Sequence, residues 1–253
     1  MIIDTNMWLG QWPFHAKTDI TPARLQELLR KEGIGKALVA SRESVLIDDP
    51  ENKNMDLLSQ TKKLPDLLPV ITVNPSLPNW KDKMPVYIEE GIKAVKLFPN
   101  YHTYSLSEPF VRELMNICGN EGILPILQMR LEDERSHHPS CIVPGVAADE
   151  IIASAHACPD VQLAVSCPYF DEAVSLVQET KNIHIDIAFT ERLHTIPSLC
   201  KQIPAERILF GSHTPFLYTR AALMKAEDPD ISNSDRKLIT HKNITSLLHL
   251  YIN

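Results

Sequence analysis

The run Ile123-Leu-Pro-Ile-Leu-Gln-Met129 is apolar along almost its whole length. A half-exposed strand alternates polar and apolar residues, so a continuous apolar run of this length reads as a strand buried on both faces. Just before it, Phe110, Val111, Leu114, Met115 and Cys118 recur at the spacing of one helical stripe. A helix feeding a doubly buried strand is the repeating unit of α/β proteins. Working outward, the same unit recurs. Strands are predicted at residues 2–5, 36–40, 67–73, 94–98, 123–129, 161–166, 183–187 and 207–210, with helices between them. Thr21-Pro22 supplies a helix cap and first-turn proline, Leu25, Leu28 and Leu29 form its stripe, and Gly33 stops it. Phe170, Ala173, Val174 and Val177 form another stripe after the sixth strand. Eight such units in 253 residues close into a parallel barrel more readily than they spread into an open sheet, and about 250 residues is typical of that barrel. The expected fold is one α/β domain over residues 1–253, a (β/α)8 TIM barrel.

Composition narrows the function classes. The net charge of −7, with no basic block, argues against nucleic acid or an anionic membrane as partner. No run of eighteen apolar residues marks a membrane span, and Met1 leads directly into a strand pattern rather than a signal peptide. Five scattered cysteines without a C-x-x-C pair suit free thiols in a reducing cytoplasm. The longest irregular stretches, 41–54 and 130–144, follow strands and therefore belong at the barrel mouth, where they suit a pocket or a homodimer contact. Nineteen prolines against eight glycines predict stiff connections.

The opening Met1-Ile-Ile-Asp-Thr-Asn-Met-Trp-Leu-Gly10 resembles the first strand of metal-dependent hydrolases, Asp-x-His-x-His-x-Gly, with Asn6 and Trp8 in place of the histidines. Further segments resemble the amidohydrolase-2 branch of the amidohydrolase superfamily, which includes decarboxylases of aromatic acids. They are Trp12-Pro13-Phe14, Gly91-Ile-Lys-Ala-Val-Lys-Leu-Phe-Pro99, Ala205-Glu-Arg-Ile-Leu-Phe-Gly-Ser-His-Thr-Pro-Phe216 and Asn243-Ile-Thr-Ser-Leu-Leu248. The resemblance implies an amidohydrolase-like barrel with metal ligands on strands one, five, six and eight. At those positions stand Asn6 and Trp8, Gln128 or Met129, Cys167 and, in place of an aspartate, His213. An amide is a poor zinc ligand and an indole offers no in-plane lone pair. The implied expectation is a degenerate centre with no cofactor. A rebuilt zinc site on His213 and Cys167, with Asp186 or His184, is the third reading.

Within this frame His213 and Lys96 are the catalytic candidates, as acid/base and as carboxylate-binding or nucleophilic amine. Asn6, Trp8, Gln128, Arg130, Cys167 and Asp186 are the substrate-binding candidates, Arg130 and Lys96 pointing to a small anionic ligand. Trp8, Trp12, Phe14, Phe98 and Tyr101 are expected to crowd one rim. Two functions stay open. One is metal-independent hydrolase or lyase chemistry, decarboxylase- or lactonase-like, on a small carboxylated compound. The other is a pseudoenzyme retained as a binding or scaffold module. An open cavity lined by His213, Lys96 and Arg130 favours the first, and an aromatic-filled mouth favours the second.

Overall fold

The computed structural model describes residues 1–14 and 20–250. Eight strands form one sheet in sequence order, every neighbouring pair parallel: β1 (Ile3–Leu9), β2 (Lys36–Ser41), β3 (Leu67–Thr72), β4 (Ala94–Leu97), β5 (Leu124–Gln128), β6 (Leu163–Ser166), β7 (Ile183–Asp186) and β8 (Ile208–Leu209). The ends meet: Thr5 N donates to Phe210 O and Trp8 N to Thr214 O, each at 2.9 Å, closing the barrel. Helices α1 (Pro22–Glu32), α2 (Glu51–Thr61), α3 (Trp80–Glu89), α4 (Pro109–Glu121), α5 (Ala148–Ala157), α6 (Phe170–Glu179), α7 (Thr195–Cys200) and α8 (Thr219–Ala226) alternate with the strands. The expected (β/α)8 TIM barrel is the observed fold.

Local chemistry explains the helix ends. Thr21 caps α1 by accepting from Arg24 N, Pro22 occupies its first turn, and Gly33 ends it at φ 71°, where a side chain would be strained. Outward strand residues such as Val39, Ile71, Val95, Leu127 and Ile185 pack beneath helix stripes such as Leu25–Leu29 and Leu114–Cys118. Inward residues, including Leu38, Val70, Ala94, Ile126, Ala164 and Leu209, fill the interior. After α8, a short helix α9 (Asn233–Lys237), a π-turn (Leu238–Lys242) and α10 (Asn243–Leu247) place Ile244 and Leu248 against that interior core. Asn243 Nδ2 fixes this segment by donating to Ala205 O and Ile208 O.

One irregularity positions the site. Strict alternation from the inward Ile3 would send Met7 and Leu9 inward. Instead the β1–β2 register shifts between Asp4 and Met7. This bulge reverses the parity, so Met7 and Leu9 face the helices while Asn6 and Trp8 turn into the barrel. β1 thus runs on to Leu9, beyond the 2–5 read from sequence. Among the described residues no helix is long and apolar enough to cross a membrane.

Candidate functional site

Strand ends β1, β4, β5, β6 and β7 bring five polar side chains into one buried cluster. Asn6 is its hub. Its Nδ2 donates to Asp186 Oδ2 at 2.9 Å and to Cys167 Sγ at 3.3 Å, and its Oδ1 accepts from Lys96 Nζ at 2.8 Å. The Lys96 ammonium also lies 4.0 Å from the centre of the Trp8 ring, a cation–π arrangement. Asp186 Oδ1 accepts from Cys167 N and Ala188 N at 3.0 and 3.1 Å. Gln128 Nε2 donates to Cys167 Sγ at 3.1 Å and to Arg130 O at 2.6 Å, so Gln128 faces inward while Met129 packs in the outer core. Asp186 and Lys96 are joined through the Asn6 amide.

Backbone geometry shapes the rim of this cluster. Cys167 and His213 follow β6 and β8 at φ 63° and 58°, a conformation that costs a non-glycine residue about 1 kcal/mol and persists where neighbours over-determine it. The Asp186 carboxylate holds Cys167 by its N–H. Gly211 lets β8 approach closely, because a Cβ there would sit 2.9 Å from Asp186 Cβ. Asp4 Oδ1 accepts from Asn6 N and Ser212 N, tying β1 to the segment after β8.

His213 lies above the cluster, fully buried. Its Nδ1 accepts from the Trp8 indole at 3.1 Å and its Nε2 donates to Leu131 O at 2.7 Å. An indole only donates and a carbonyl only accepts, so the proton sits on Nε2 and the ring is neutral. Burial, with Lys96 nearby, pushes its pKa down to about 3. Phe216 stacks on the ring at 4.8 Å and Phe189 meets it edge-on at 5.6 Å. Burial likewise lowers Lys96 to about 8, against the opposing pull of Cys167, Asp186 and Asp4. It raises Asp4 to about 7 and the Cys167 thiol well above its ordinary range.

Arg130 is buried beside the cluster and already paired. Its Nη1 and Nη2 make paired bonds to Glu172 at 2.6 and 2.7 Å, Nη1 also donates to Cys167 O, and the guanidinium lies 3.8 Å from the Tyr169 ring centre. His184, the optional ligand, bonds Gln162 Oε1 at 2.9 Å one residue pair earlier on β7. Trp12, Phe14 and Tyr101 do gather with Trp8, Phe98 and Phe216 in a chain of ring contacts over the β1–β4 side of the mouth.

The open space lies elsewhere. A cavity of about 790 Å³ sits between the loops after β5, β6, β7 and β8, walled by Leu131, Tyr169, Phe170, Phe189, Phe216 and charged rim residues. None of the eight site residues read from sequence lines it; Leu131, Phe189 and Phe216 stand between it and His213. Tyr169, Phe189 and Glu172 went unnoticed in the sequence, although each falls just after a strand, where mouth residues are expected. Among the described residues, the one group of three potential metal-ligand atoms within 4.8 Å of each other is His194, Asp228 and Asp230, away from this centre. There His194 Nδ1 is already 2.9 Å from Asp228 Oδ2.

Fold and site together define a class, a closed parallel (β/α)8 barrel with a buried polar cluster at the strand ends. No protein-family model and no curated protein sequence matches the chain. Solved structures do. A 2,6-dihydroxybenzoate decarboxylase complexed with 2,6-dihydroxybenzoate superposes with a TM-score of 0.77 at 17% identity, covering 98% of this chain and 99% of its own. A dihydroxybenzoic acid decarboxylase from Polaromonas sp. JS666, with manganese and the inhibitor 2-nitroresorcinol bound, gives 0.75 at 16% identity, covering 100% and 98%. A 5-carboxyvanillate decarboxylase from Sphingomonas paucimobilis gives 0.74 at 12% identity, covering 99% of both chains. The chain shares the fold of these enzymes over its full length.

Proposed function

We propose that this protein is a decarboxylase-type amidohydrolase barrel converted into a small-molecule binding module. In this reading the Lys96 ammonium stands where the fold's metal would be, and the cavity over β5–β8 holds an aromatic ligand that is not turned over. The observation that carries it is the Lys96 ammonium itself, bonded to Asn6 Oδ1 at 2.8 Å and seated on Trp8. A divalent cation at that place would be repelled by the ammonium. It would find amide N–H groups already aimed at sulfur and carboxylate. The donor set therefore does not fit a metal. A general base also needs an available lone pair and a path to substrate. The His213 lone pair is engaged by Trp8, and its ring is covered by Phe189 and Phe216. What remains suited to a ligand is the cavity, whose size falls in the ordinary range for small molecules.

A second reading has one specific observation in its favour. With a pKa near 8, Lys96 is a better nucleophile or base than an ordinary lysine, and Gln128 Oε1 has no partner among the described residues. Metal-independent hydrolase or lyase chemistry on a carboxylated compound would then use Lys96 and His213, with Asn6 and Gln128 orienting a carbonyl. It requires Phe189 and Phe216 to swing aside.

Plasma mass spectrometry on protein purified without chelator, and again after incubation with excess zinc or manganese, tests the first reading. The expected result is no near-stoichiometric metal and no carbon dioxide release from 2,6-dihydroxybenzoate. One ion per chain overturns the proposal. So does turnover that disappears in Lys96→Met.

A further inference from the structure

We infer that the cavity over β5–β8 takes an uncharged aromatic ligand of more than one ring. This deepens the binding reading above and rests on it.

Size points beyond a single ring. A cavity of about 150 Å³ already holds benzene. This one measures about 790 Å³, so a lone ring would leave most of it to water. Its apolar lining suits flat ring systems. The Tyr169 and Phe189 rings lie 6.1 Å apart at 54°, and Leu131, Phe216 and Leu217 line the same space.

Charge narrows the class further. Five carboxylates stand on the wall, and each has a partner. Asp133 holds Arg135 through Nε and Nη2 at 2.8 and 2.9 Å. Glu172 accepts from both amino groups of Arg130 at 2.6 and 2.7 Å, and Glu191 from Lys225 at 2.6 Å. Glu132 accepts from the Trp12 indole at 3.3 Å. Asp171 and Arg192, 3.6 Å apart, form the loosest pair, at 89% and 48% exposure. That pair offers its acid and its base alike. An incoming ammonium or carboxylate exchanges one ion pair for another there and gains nothing from its sign. It still gives up part of its hydration to the ring walls, a cost that only a counter-charge of its own would offset. An uncharged ring system avoids that cost. The small anionic ligand expected from Arg130 and Lys96 is disfavoured, since neither side chain lines this cavity.

Four probes test this by calorimetric titration of the full chain at pH 7. They are 2-naphthol, which is uncharged, 2-naphthoate, 2-naphthylmethylamine and phenol. The expected Kd of 2-naphthol is lower than that of either charged naphthalene by about fivefold or more, the cost of an uncompensated partial desolvation. It is lower than that of phenol by about tenfold, the effect of burying roughly 50 Å² more apolar surface. Two rim variants check the cause. Asp171→Asn leaves Arg192 without its acid and should tighten 2-naphthoate by about threefold, and Arg192→Gln should do the same for the amine. A charged naphthalene that binds wild type as tightly as 2-naphthol overturns the inference and leaves the binding reading standing. So does phenol at the affinity of 2-naphthol, or a probe order that neither variant moves. If no probe binds, both fail.

Discussion

Replacing Lys96 with methionine is the most direct probe of the centre, because it removes the charge and nearly preserves the volume. The ammonium is 2% exposed and shares Asn6 with the Asp186 carboxylate. Two effects oppose each other. Burial has moved the lysine from 10.5 to about 8, so the folded state pays on the order of 3 kcal/mol to keep it charged. Against this, removing one member of a buried charge pair strands the other, at a typical cost of 3–5 kcal/mol. Asp186 retains three N–H donors, from Cys167, Ala188 and Asn6, which places the expected loss at the lower end, about 3 kcal/mol. For a chain of this length that corresponds to roughly 6–12 °C in Tm. The double variant Lys96→Met/Asp186→Asn should recover part of the loss, since no buried charge is then left alone. Calorimetric melts of wild type, both single variants and the double variant complete the cycle. A Lys96→Met protein as stable as wild type, or a double variant whose loss equals the sum of the singles, would refute the idea that this ammonium compensates the carboxylate.

Asp4 and Lys96 should together produce a trough in stability between about pH 7 and 8. The Asp4 carboxyl is raised from 3.8 to about 7, so its contribution is full below pH 3.8 and is lost as pH rises through 7, by about 4 kcal/mol in all. Lys96 is depressed from 10.5 to about 8, so its contribution is present above 10.5 and is lost as pH falls through 8. Urea midpoints of wild type minus Asp4→Asn across pH 4–8 isolate the first arm; a flat difference would contradict it. Imidazole nitrogen NMR should find His213 as the neutral Nε2–H tautomer throughout pH 5–8, and a titration in that window would remove the two-bond assignment. His213→Leu should cost about 2–4 kcal/mol in chemical denaturation by leaving the Trp8 indole and Leu131 carbonyl without partners, and a loss below 1 kcal/mol would mean water replaces the ring. In native protein a thiol reagent should label the part-exposed Cys141 and Cys200 and spare Cys167 until unfolding; rapid Cys167 labelling would mean the cluster opens.

The barrel was legible because its signals are local. Apolar runs and stripes such as Leu114–Cys118 ahead of residues 124–128 need no long-range knowledge, and all eight strands fell within a few residues of where those runs lie. The cluster was legible only as a set of chain positions. Resemblance named Asn6, Gln128, Cys167 and His213, and barrel closure brings the first three together because parallel register carries each strand end to the same rim. Side-chain direction was hidden. A bulge between Asp4 and Met7 reverses the inward parity of β1, and nothing in Asp-Thr-Asn-Met announces it. The choice between Gln128 and Met129 likewise waited on the β5–β6 register.

The harder gap is between a residue type and the atoms it has left to offer. His213 in a barrel mouth reads as a base from sequence, yet its usefulness depends on whether the Trp8 indole is 3.1 Å from Nδ1 or elsewhere. Arg130 reads as an anion receptor until Glu172, in the first turn of α6, takes both its amino groups. In each case the polar capacity that chemistry would need is satisfied by a partner from a distant strand or helix. A hydrogen-bond acceptor already filled cannot also take a substrate proton, and a guanidinium already paired inside a protein binds a second carboxylate only by breaking the first bond. The same satisfaction that makes the centre stable leaves it buried, whereas the open space of the barrel mouth is the β5–β8 cavity, at whose rim Asp171 and Glu191 are exposed to solvent.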